Sequence, residues 1–285
     1  MCGITGILGK SKLSRDVIEK MTFAVAHRGP DSQGIFISED QRLALGHRRL
    51  SVIDLSTSAN QPMTSTKGRY TIVYNGEIYN FKEIRKELEN KGHQFTTSSD
   101  TEVILNAFAE WNTDSFEKLQ GMFAIAIYDK DTKNTFLARD RMGKKPLYLY
   151  RDGDRIAFAS EIKSLLTIPG MIKSVNKNAL VQFLHLGYIP GPLTAYTDIE
   201  KFPAACFGVI TEDHSVNITR YWEPLRSDVN ISGLNEEQLT AEFGQRLTNA
   251  VQSRLISDVP LGALLVGEQI RPWYVRLLRS LYLAS

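Results

Sequence analysis

The order of secondary-structure signals along the chain predicts an α+β fold, in which antiparallel sheets are covered by helices. Short apolar runs typical of strands come first, a pair of amphipathic helices follows, and a second group of strands comes after the helices. The links between strands are short and polar, and no regular alternation of strand and helix indicates βαβ units. Hydrophobic residues make up 42% and charged residues 23% of the 285 residues, as in globular proteins with a substantial core.

The first third of the chain predicts one strand, one helix and three more strands. An apolar strand is expected at 3–8, and helical spacing of apolar residues predicts a helix over 14–26. Gly29-Pro30 and Gly34 then predict a loop. Further strands are expected at 34–38, 42–50 and 69–75.

The middle of the chain predicts a helix pair followed by strands. Helices are expected over 80–92 and 100–111, with Asn80 and Asp100 as their N-caps. Strands are expected at 122–129, 135–140, 146–151 and 155–160.

The last third begins with turns rich in proline and glycine and two weak strands between residues 190 and 224. A polar helix is then predicted over 236–255, and the apolar run at 261–265 has the character of a new strand.

Composition and charge exclude several classes of function. The net charge is +2, from 34 basic and 32 acidic residues, which gives no basis for a nucleic-acid surface. No apolar run approaches the roughly 20 residues of a membrane helix, and the N-terminus lacks the basic region of a signal peptide. Two cysteines and five histidines without ligand spacing predict neither a disulfide framework nor a metal site. We therefore expect a protein of the reducing cytoplasm.

Cys2 is the first candidate for chemistry. Removal of the initiator Met would make Cys2 the N-terminal residue, so that one residue carries a thiol nucleophile and a free α-amine. An α-amine has a pKa of about 8, which allows it to act as a base near neutral pH. The alternative is a buried, inert thiol in a first strand.

A second candidate is the pair Asn75-Gly76, which stands at the end of a predicted strand. An amide side chain and an unobstructed backbone N–H are two convergent donors, as an oxyanion hole requires. Glu77 could hold an ammonium group. The alternative, which the pair taken alone favours, is a hairpin turn.

Arg49 and Asp100 complete the set of candidates. Arg49, in a half-buried strand-like run, is a candidate clamp for a carboxylate; the alternative is a surface cation at a strand end. Asp100 could bind an amine, but an Asp at this position is also a sufficient helix cap. Together with Cys2, Asn75 and Glu77, the two residues fit a zwitterionic amino acid with a side-chain carbonyl.

Several motifs in order along the chain carry a resemblance to a known family: MCGITGIL, HRGPDSQG, GHRRLSVIDL, QPM, YNGEIYN, SSDTEVIL, GMFAIAIYD and ARDRMGKKPLYLY. The chain resembles the glutaminase half of asparagine synthetase, of the class with an N-terminal cysteine nucleophile. The resemblance implies the four-layer αββα sandwich of N-terminal-nucleophile hydrolases. It also implies a glutaminase domain at 2–215, followed at 216–265 by a linker and the first helix and strand of an α/β synthetase domain.

The same resemblance implies a role for each candidate residue. The thiol of Cys2 would attack the side-chain amide of glutamine, and its α-amine would carry the proton. Asn75 and Gly76 would stabilise the oxyanion, and water would resolve the thioester. Arg49, with backbone groups around Leu50 and Val52, would bind the substrate carboxylate. Glu77 and Asp100 would bind its ammonium, and the HRGPD loop would shape the site without Arg28 or Asp31 taking a chemical step.

In the family, ATP and Mg²⁺ serve a second domain, where ammonia displaces AMP from activated aspartate. That domain's pyrophosphate loop has the form Ser-Gly-Gly-x-Asp-Ser, and here Val266 to Gln269 occupy its first positions. One added A before the codon of Val266 allows the restored frame to spell Ser-Gly-Gly-Thr-Asp-Ser-Ser-Leu-Val. We therefore expect 266–285 to be a frameshifted tail, and no ATP site, in this chain; the alternative is a divergent natural C-terminus.

The sequence leaves the ammonia acceptor open. The intact family uses aspartate, and relatives with these motifs amidate sugar acids of polysaccharides. A non-catalytic, truncated glutamine-binding product is a further alternative. We expect glutamine as the ligand, no cofactor for its hydrolysis, no metal, and no nucleic-acid or membrane partner; a homodimer is left open.

Overall fold

A computed structural model of the chain describes residues 1–224, 233, 235–260 and 262. The chain divides into two units, Met1–Glu223 and Pro224–Ser285. The predicted strand at 261–265, apart from Gly262, and the predicted frameshifted tail at 266–285 lie outside the described residues.

Twelve strands are present within residues 1–224, and they are β1 (Gly3–Gly9), β2 (Ser32–Ile37), β3 (Leu43–Arg49), β4 (Met63–Thr64), β5 (Tyr70–Ile78), β6 (Gly121–Asp129), β7 (Thr135–Arg139), β8 (Tyr148–Arg151), β9 (Arg155–Ala159), β10 (Ile199–Lys201), β11 (Cys206–Ile210) and β12 (Val216–Arg220). They form two six-stranded sheets, in the orders β10-β8-β9-β1-β3-β2 and β12-β11-β7-β6-β5-β4. The pairs of named strands are antiparallel.

Seven α-helices lie within the described residues, and they are α1 (Arg15–Phe23), α2 (Phe81–Asn90), α3 (Asp100–Trp111), α4 (Ser115–Lys118), α5 (Ile162–Leu165), α6 (Lys177–Leu186) and α7 (Glu236–Gln252). Helices α1 and α5 contact the first sheet, and α3 contacts β5 of the second. Apolar side chains of both sheets, among them Leu45, Val73 and Phe158, share one buried cluster. The order of layers in the first unit is therefore helix, sheet, sheet, helix, which confirms the predicted αββα sandwich and α+β class.

Strand β1 lies near the middle of the first sheet, between β9 and β3, and all seven of its residues are buried. Because both of its faces are covered, its sequence is apolar apart from Thr5 and lacks polar alternation. At Gly6, a Cβ atom would lie only 2.1 Å from the ring of Phe158. A side chain there would displace a core aromatic ring, so the close approach of the strand requires glycine.

One predicted N-cap position is confirmed and the other is wrong. Asn80 is the N-cap residue of α2, but its side chain makes no cap bond; it donates to the backbone oxygen of Lys118 at 3.0 Å and accepts from the backbone N–H of Gln120 at 2.9 Å. The N-cap of α3 is Ser99, whose hydroxyl accepts from the backbone N–H of Thr101 at 3.0 Å. Asp100 is the first residue of the helix, and its carboxylate accepts hydrogen bonds from Tyr74 and Ile78 instead.

The predicted glutaminase domain ends at 215, but the sheet continues beyond that residue. Strand β12 pairs with β11 over five residues, and the division between the units falls after Glu223. In the second unit, α7 begins at a capping box formed by Asn235 and Gln238. Helix α6 was not predicted, because its exposed Val181 and Leu184 do not mark one apolar face.

We expect Phe108→Ala to lower the free energy of unfolding by about 3 to 5 kcal/mol, because it leaves a cavity in a fully packed site. The Phe108 ring is 1% exposed and contacts the rings of Tyr70, Phe116 and Phe136 between α3 and the second sheet. Denaturant unfolding measures the loss. Phe23→Ala, at a ring 74% exposed, is the control; equal losses in the two variants would contradict this packing.

Candidate active site

Cys2 stands at the entrance to β1, where the pairing of β1 with β3 places it beside the end of β3. Gly3 is opposite Arg48 in this pairing. The thiol Sγ accepts from the backbone N–H of Leu50 at 3.4 Å and donates to the backbone oxygen of Leu50 at 3.6 Å. Burial raises the pKa of the thiol, and the Leu50 N–H opposes this rise. Cys2 is half-buried and lines a cavity, so it is not the inert core thiol of the alternative prediction.

Asn75 and Gly76 lie inside β5, opposite Ala124 and Phe123 of β6, so the hairpin-turn prediction for this pair is wrong. Both polar atoms of the Asn75 amide are buried and have no hydrogen-bond partner among the described residues. A Cβ atom on Gly76 would lie 2.2 Å from the backbone oxygen of Met122, so only glycine fits there. An unpaired amide donor therefore lies at the same cavity as the thiol of Cys2.

Asp100 is 5% exposed, and its Oδ2 accepts from the hydroxyl of Tyr74 at 2.9 Å and from the backbone N–H of Ile78 at 3.1 Å. Burial raises the pKa of Asp100 to about 6, the two hydrogen bonds oppose the rise, and the charge of Glu77 adds to it. Burial also raises the pKa of Glu77, against the charge of Lys145. Two carboxyl groups near one cavity would both be stabilised in their ionised form by a bound cation.

Arg49 is 6% exposed, so the prediction of a surface cation at a strand end is wrong. Its Nη1 donates to the backbone oxygen of Ser56 at 2.8 Å and to Oδ1 of Asn60 at 2.7 Å. Its Nη2 donates to the backbone oxygens of Ile53 and Asp54. The guanidinium thus holds the loop after β3 in place, and it also lines the cavity.

The HRGPD segment is tied to the site by two polar contacts. The Nε of Arg28 donates to the backbone oxygen of Cys2 at 2.9 Å, and its Nη1 donates to Glu161 at 2.9 Å. A carboxylate oxygen of Asp31 accepts from the backbone N–H of Ser51 at 2.8 Å. Both contacts fix the backbone near the thiol, as expected for a segment that shapes the site.

A cavity of about 120 Å³ brings together all eight residues predicted for the site, namely Cys2, Arg49, Leu50, Val52, Asn75, Gly76, Glu77 and Asp100. Eight further residues line the cavity and were not predicted, namely Met1, Ile53, Ala59, Gln61, Tyr74, Ser99, Thr101 and Lys145. Gln61 accepts from the backbone N–H of Tyr74 at 2.6 Å and donates to Thr101 at 3.1 Å, which braces β5 against α3. The QPM motif contains Gln61 and was the available signal.

Within the described part of the chain, no group of three or more His, Cys, Asp or Glu side chains could hold a metal ion. No helix among those residues is both long and apolar enough to cross a membrane.

Comparison with known proteins identifies the family. Residues 1–222 match the model of the glutamine amidotransferase domain. The chain belongs to this family. The prediction of a glutamine amidotransferase, an enzymatic domain with glutamine as substrate, is thereby confirmed.

Similar sequences place the domain beside asparagine synthetases. It is 36% identical over 272 residues to the glutamine-hydrolysing asparagine synthetase 1 of Bacillus subtilis, covering 94% of this chain and 42% of that protein. It is 35% identical to a putative glutamine-hydrolysing asparagine synthetase of Methanocaldococcus jannaschii, of which it covers 55%. This glutamine amidotransferase domain thus spans about half the length of these curated relatives.

Solved structures agree with the fold. The glutamine phosphoribosylpyrophosphate amidotransferase of B. subtilis superposes with a TM-score of 0.61 at 19% identity, covering 87% of this chain and 58% of that one. The likeness supports the αββα sandwich of this glutamine amidotransferase domain.

The raised pKa of Asp100 predicts how the free energy of unfolding depends on pH. Between pH 4 and 6 the folded protein keeps a proton on Asp100 that the unfolded chain, with a carboxyl pKa of 3.8, has released. The contribution of Asp100 to the stability of the wild type therefore falls as the pH rises through this window. Asp100→Asn lacks this fall, so its stability relative to the wild type should improve by roughly 2 to 3 kcal/mol between pH 4 and pH 7.

Denaturant unfolding at several pH values measures this difference. Glu83→Gln, on the exposed side of α2, is the reference for a solvated carboxylate. A difference between Asp100→Asn and the wild type that stays constant from pH 4 to 7 would refute the raised pKa.

Proposed function

We propose that this domain hydrolyses glutamine to glutamate and ammonia through a thioester on Cys2, and supplies the ammonia to an asparagine synthetase-type reaction. The observation that carries the proposal is the unpartnered, buried amide of Asn75 at the cavity that also contains the Cys2 thiol. An unpaired buried polar group costs free energy. Its presence beside a nucleophile is explained if the amide donates a hydrogen bond to the oxyanion that develops during the reaction.

The proposed reaction begins once Met1 is removed, because the α-nitrogen of Cys2 is otherwise part of a peptide bond. The free amine takes the thiol proton, and Sγ attacks the side-chain carbonyl carbon of glutamine. The carbonyl oxygen becomes an oxyanion, which accepts from the Nδ2 of Asn75 and the backbone N–H of Gly76. The ammonium of Cys2 returns the proton to the departing nitrogen, and ammonia leaves a γ-glutamyl thioester.

Water then attacks the thioester, with the same amine as base, and releases glutamate and the Cys2 thiol. No cofactor or metal takes part in this half of the reaction. The carboxyls of Glu77 and Asp100 bind the ammonium of glutamine; that cation offsets the burial that raises both of their pKa values.

The carboxylate of glutamine is assigned to Arg49, with backbone groups around Leu50 and Val52. Because Nη1 and Nη2 of Arg49 already donate to the loop after β3, the substrate shares the guanidinium with loop oxygens. Arg49 then acts both as a cation for the carboxylate and as the anchor of the loop that carries Leu50.

The acceptor of the ammonia is aspartate in this proposal, activated by ATP with Mg²⁺ in a second domain. Support comes from the two relatives at 36% and 35% identity, which are both named glutamine-hydrolysing asparagine synthetases. The pyrophosphate-loop positions at 266–269 lie outside the described residues, and the synthetase step is not assigned to this chain.

The first test measures glutamate released from glutamine by purified protein whose intact mass shows the loss of Met1. We expect turnover in the wild type, none in Cys2→Ala, and unchanged turnover in Cys206→Ala, which removes the buried cysteine of β11. No turnover in protein with a free Cys2 amine would refute the proposal.

A second test addresses Asn75 alone. Asn75→Ala removes one oxyanion donor, so kcat should fall about 100- to 1000-fold while KM changes little. Steady-state kinetics separates the two constants. A rise in KM with kcat unchanged would instead assign Asn75 to ground-state binding of glutamine.

A further inference from the structure

Lys145 is a buried cation at the cavity that the proposed reaction does not use. Its side chain belongs to a residue only 5% exposed, and it lines the cavity with Cys2 and Glu77. None of the carboxylates in the described residues lies within 4.0 Å of its ammonium, whereas Lys130 and Lys133, on the surface, are paired with glutamates. A buried ammonium without a fixed counter-ion is costly, so a role in the site is expected.

The loop after β7 is built to hold Lys145 in place. The carboxylate of Asp140 accepts from the backbone N–H groups of Met142, Lys144 and Lys145 at 3.1, 2.8 and 2.9 Å. The guanidinium of Arg139 donates to the backbone oxygen of Lys145 at 2.8 Å and to that of Gly143 at 2.8 Å. The backbone at Lys145 is therefore fixed from both its N–H and its carbonyl.

Five charged groups act on Cys2 or on the Met1 amine beside it, and they are Arg28 of the turn before β2, Arg49 of β3, Glu77 of β5, Asp100 of α3 and Lys145 of the loop after β7. Two of the three cations have acceptors: Arg28 donates to Glu161 and Arg49 to the loop after β3. Within the described residues, Lys145 is the one of these three cations whose charged group has no such acceptor, so its charge acts on the groups at the cavity.

We propose that Lys145 is a positioning residue of this site, whose ammonium favours the thiolate form of Cys2 and the neutral form of the N-terminal amine. The role in turnover rests on the proposed glutaminase function, whereas the effect on the thiol does not. Both deprotonations remove a proton beside a fixed positive charge, and such a charge favours both products.

The electrostatics of the site agree with this role. Burial raises the pKa of the Cys2 thiol, so an opposing influence is needed before the thiolate, which is the nucleophile, can form near neutral pH. The pKa of the Met1 amine, one residue before the amine of Cys2, is lowered by burial and by the charges of Arg28 and Lys145, whereas the charge of Cys2 raises it. Burial lowers the pKa of Lys145, but Glu77 and Cys2 oppose this and favour its charged form.

The test measures the rate at which iodoacetamide alkylates Cys2 between pH 6 and 10, followed by mass spectrometry of the full chain after loss of Met1. Cys206, a buried cysteine, is the internal reference for unfolding. Lys145→Met removes the charge and keeps the length of the side chain. Lys144→Met removes the same charge from the exposed neighbouring residue, and Lys145→Arg keeps the charge at the buried position.

We expect the midpoint pH of Cys2 alkylation to rise in Lys145→Met, so that the rate at pH 7 falls about 3- to 10-fold, as a rise of half to one pKa unit requires. Lys144→Met and Lys145→Arg should keep the wild-type midpoint. The acid limb of kcat/KM for glutamine should move to higher pH in Lys145→Met only.

An unchanged midpoint in Lys145→Met would overturn the proposal, and so would a shift in Lys145→Arg as large as that in Lys145→Met. A uniform fall in kcat/KM at every pH, without a shift of either profile, would show a purely structural role and would also overturn it. If the wild type alkylates but does not hydrolyse glutamine, the glutaminase proposal fails, while the alkylation midpoints still decide the role of Lys145.

Discussion

The antiparallel register between β1 and β3 is the constraint on which the site depends. It pairs Gly3 with Arg48 and so brings the thiol of Cys2 to the backbone of Leu50, two residues further along the second strand. A slip of one residue would turn each side chain of β1 to the opposite face and would leave Leu50 without the thiol. The buried faces of β1 prevent such a slip, because both sheets and α1 pack around this strand.

The second sheet supplies the groups that complement the nucleophile. Strand β5 carries Tyr74, Asn75, Gly76 and Glu77 in succession, and its pairing with β6 holds all four in a regular ladder. Tyr74 also links this strand to α3, because its hydroxyl donates to the carboxylate of Asp100. The unpartnered amide of Asn75 and the two carboxyls are therefore positioned by one strand and one helix start, which makes them rigid relative to the thiol across the sandwich.

The sequence predicted most of the fold and of the site, and the errors have a common physical origin. Strong local signals were assigned local roles: Asn75-Gly76 alone favours a hairpin, and Asp100 alone favours a helix cap. In the structure, pairing with β6 keeps the first pair in a strand, and Ser99 takes the cap and leaves Asp100 to Tyr74 and Ile78. Only the combination of distant motifs pointed to their joint role.

Lys145 was missed for a different reason. Nothing near it in sequence shows that the loop held by Asp140 brings it to the cavity that Cys2 and Glu77 also line.

The same geometry gives a physical reason for the removal of Met1 that the proposed reaction requires. Met1 lines the cavity that the proposed substrate would enter, and its amine lies in the field of Arg28, Lys145 and Glu77. Removal of Met1 transfers the terminal amine to Cys2, which bears the thiol. The chain terminus thereby moves by one residue, or about 3.8 Å between Cα atoms. The amine then has the thiol of its own residue as a partner, and the space that Met1 occupied becomes available to glutamine. In the proposed reaction, this one cleavage both creates the base and opens the cavity to glutamine.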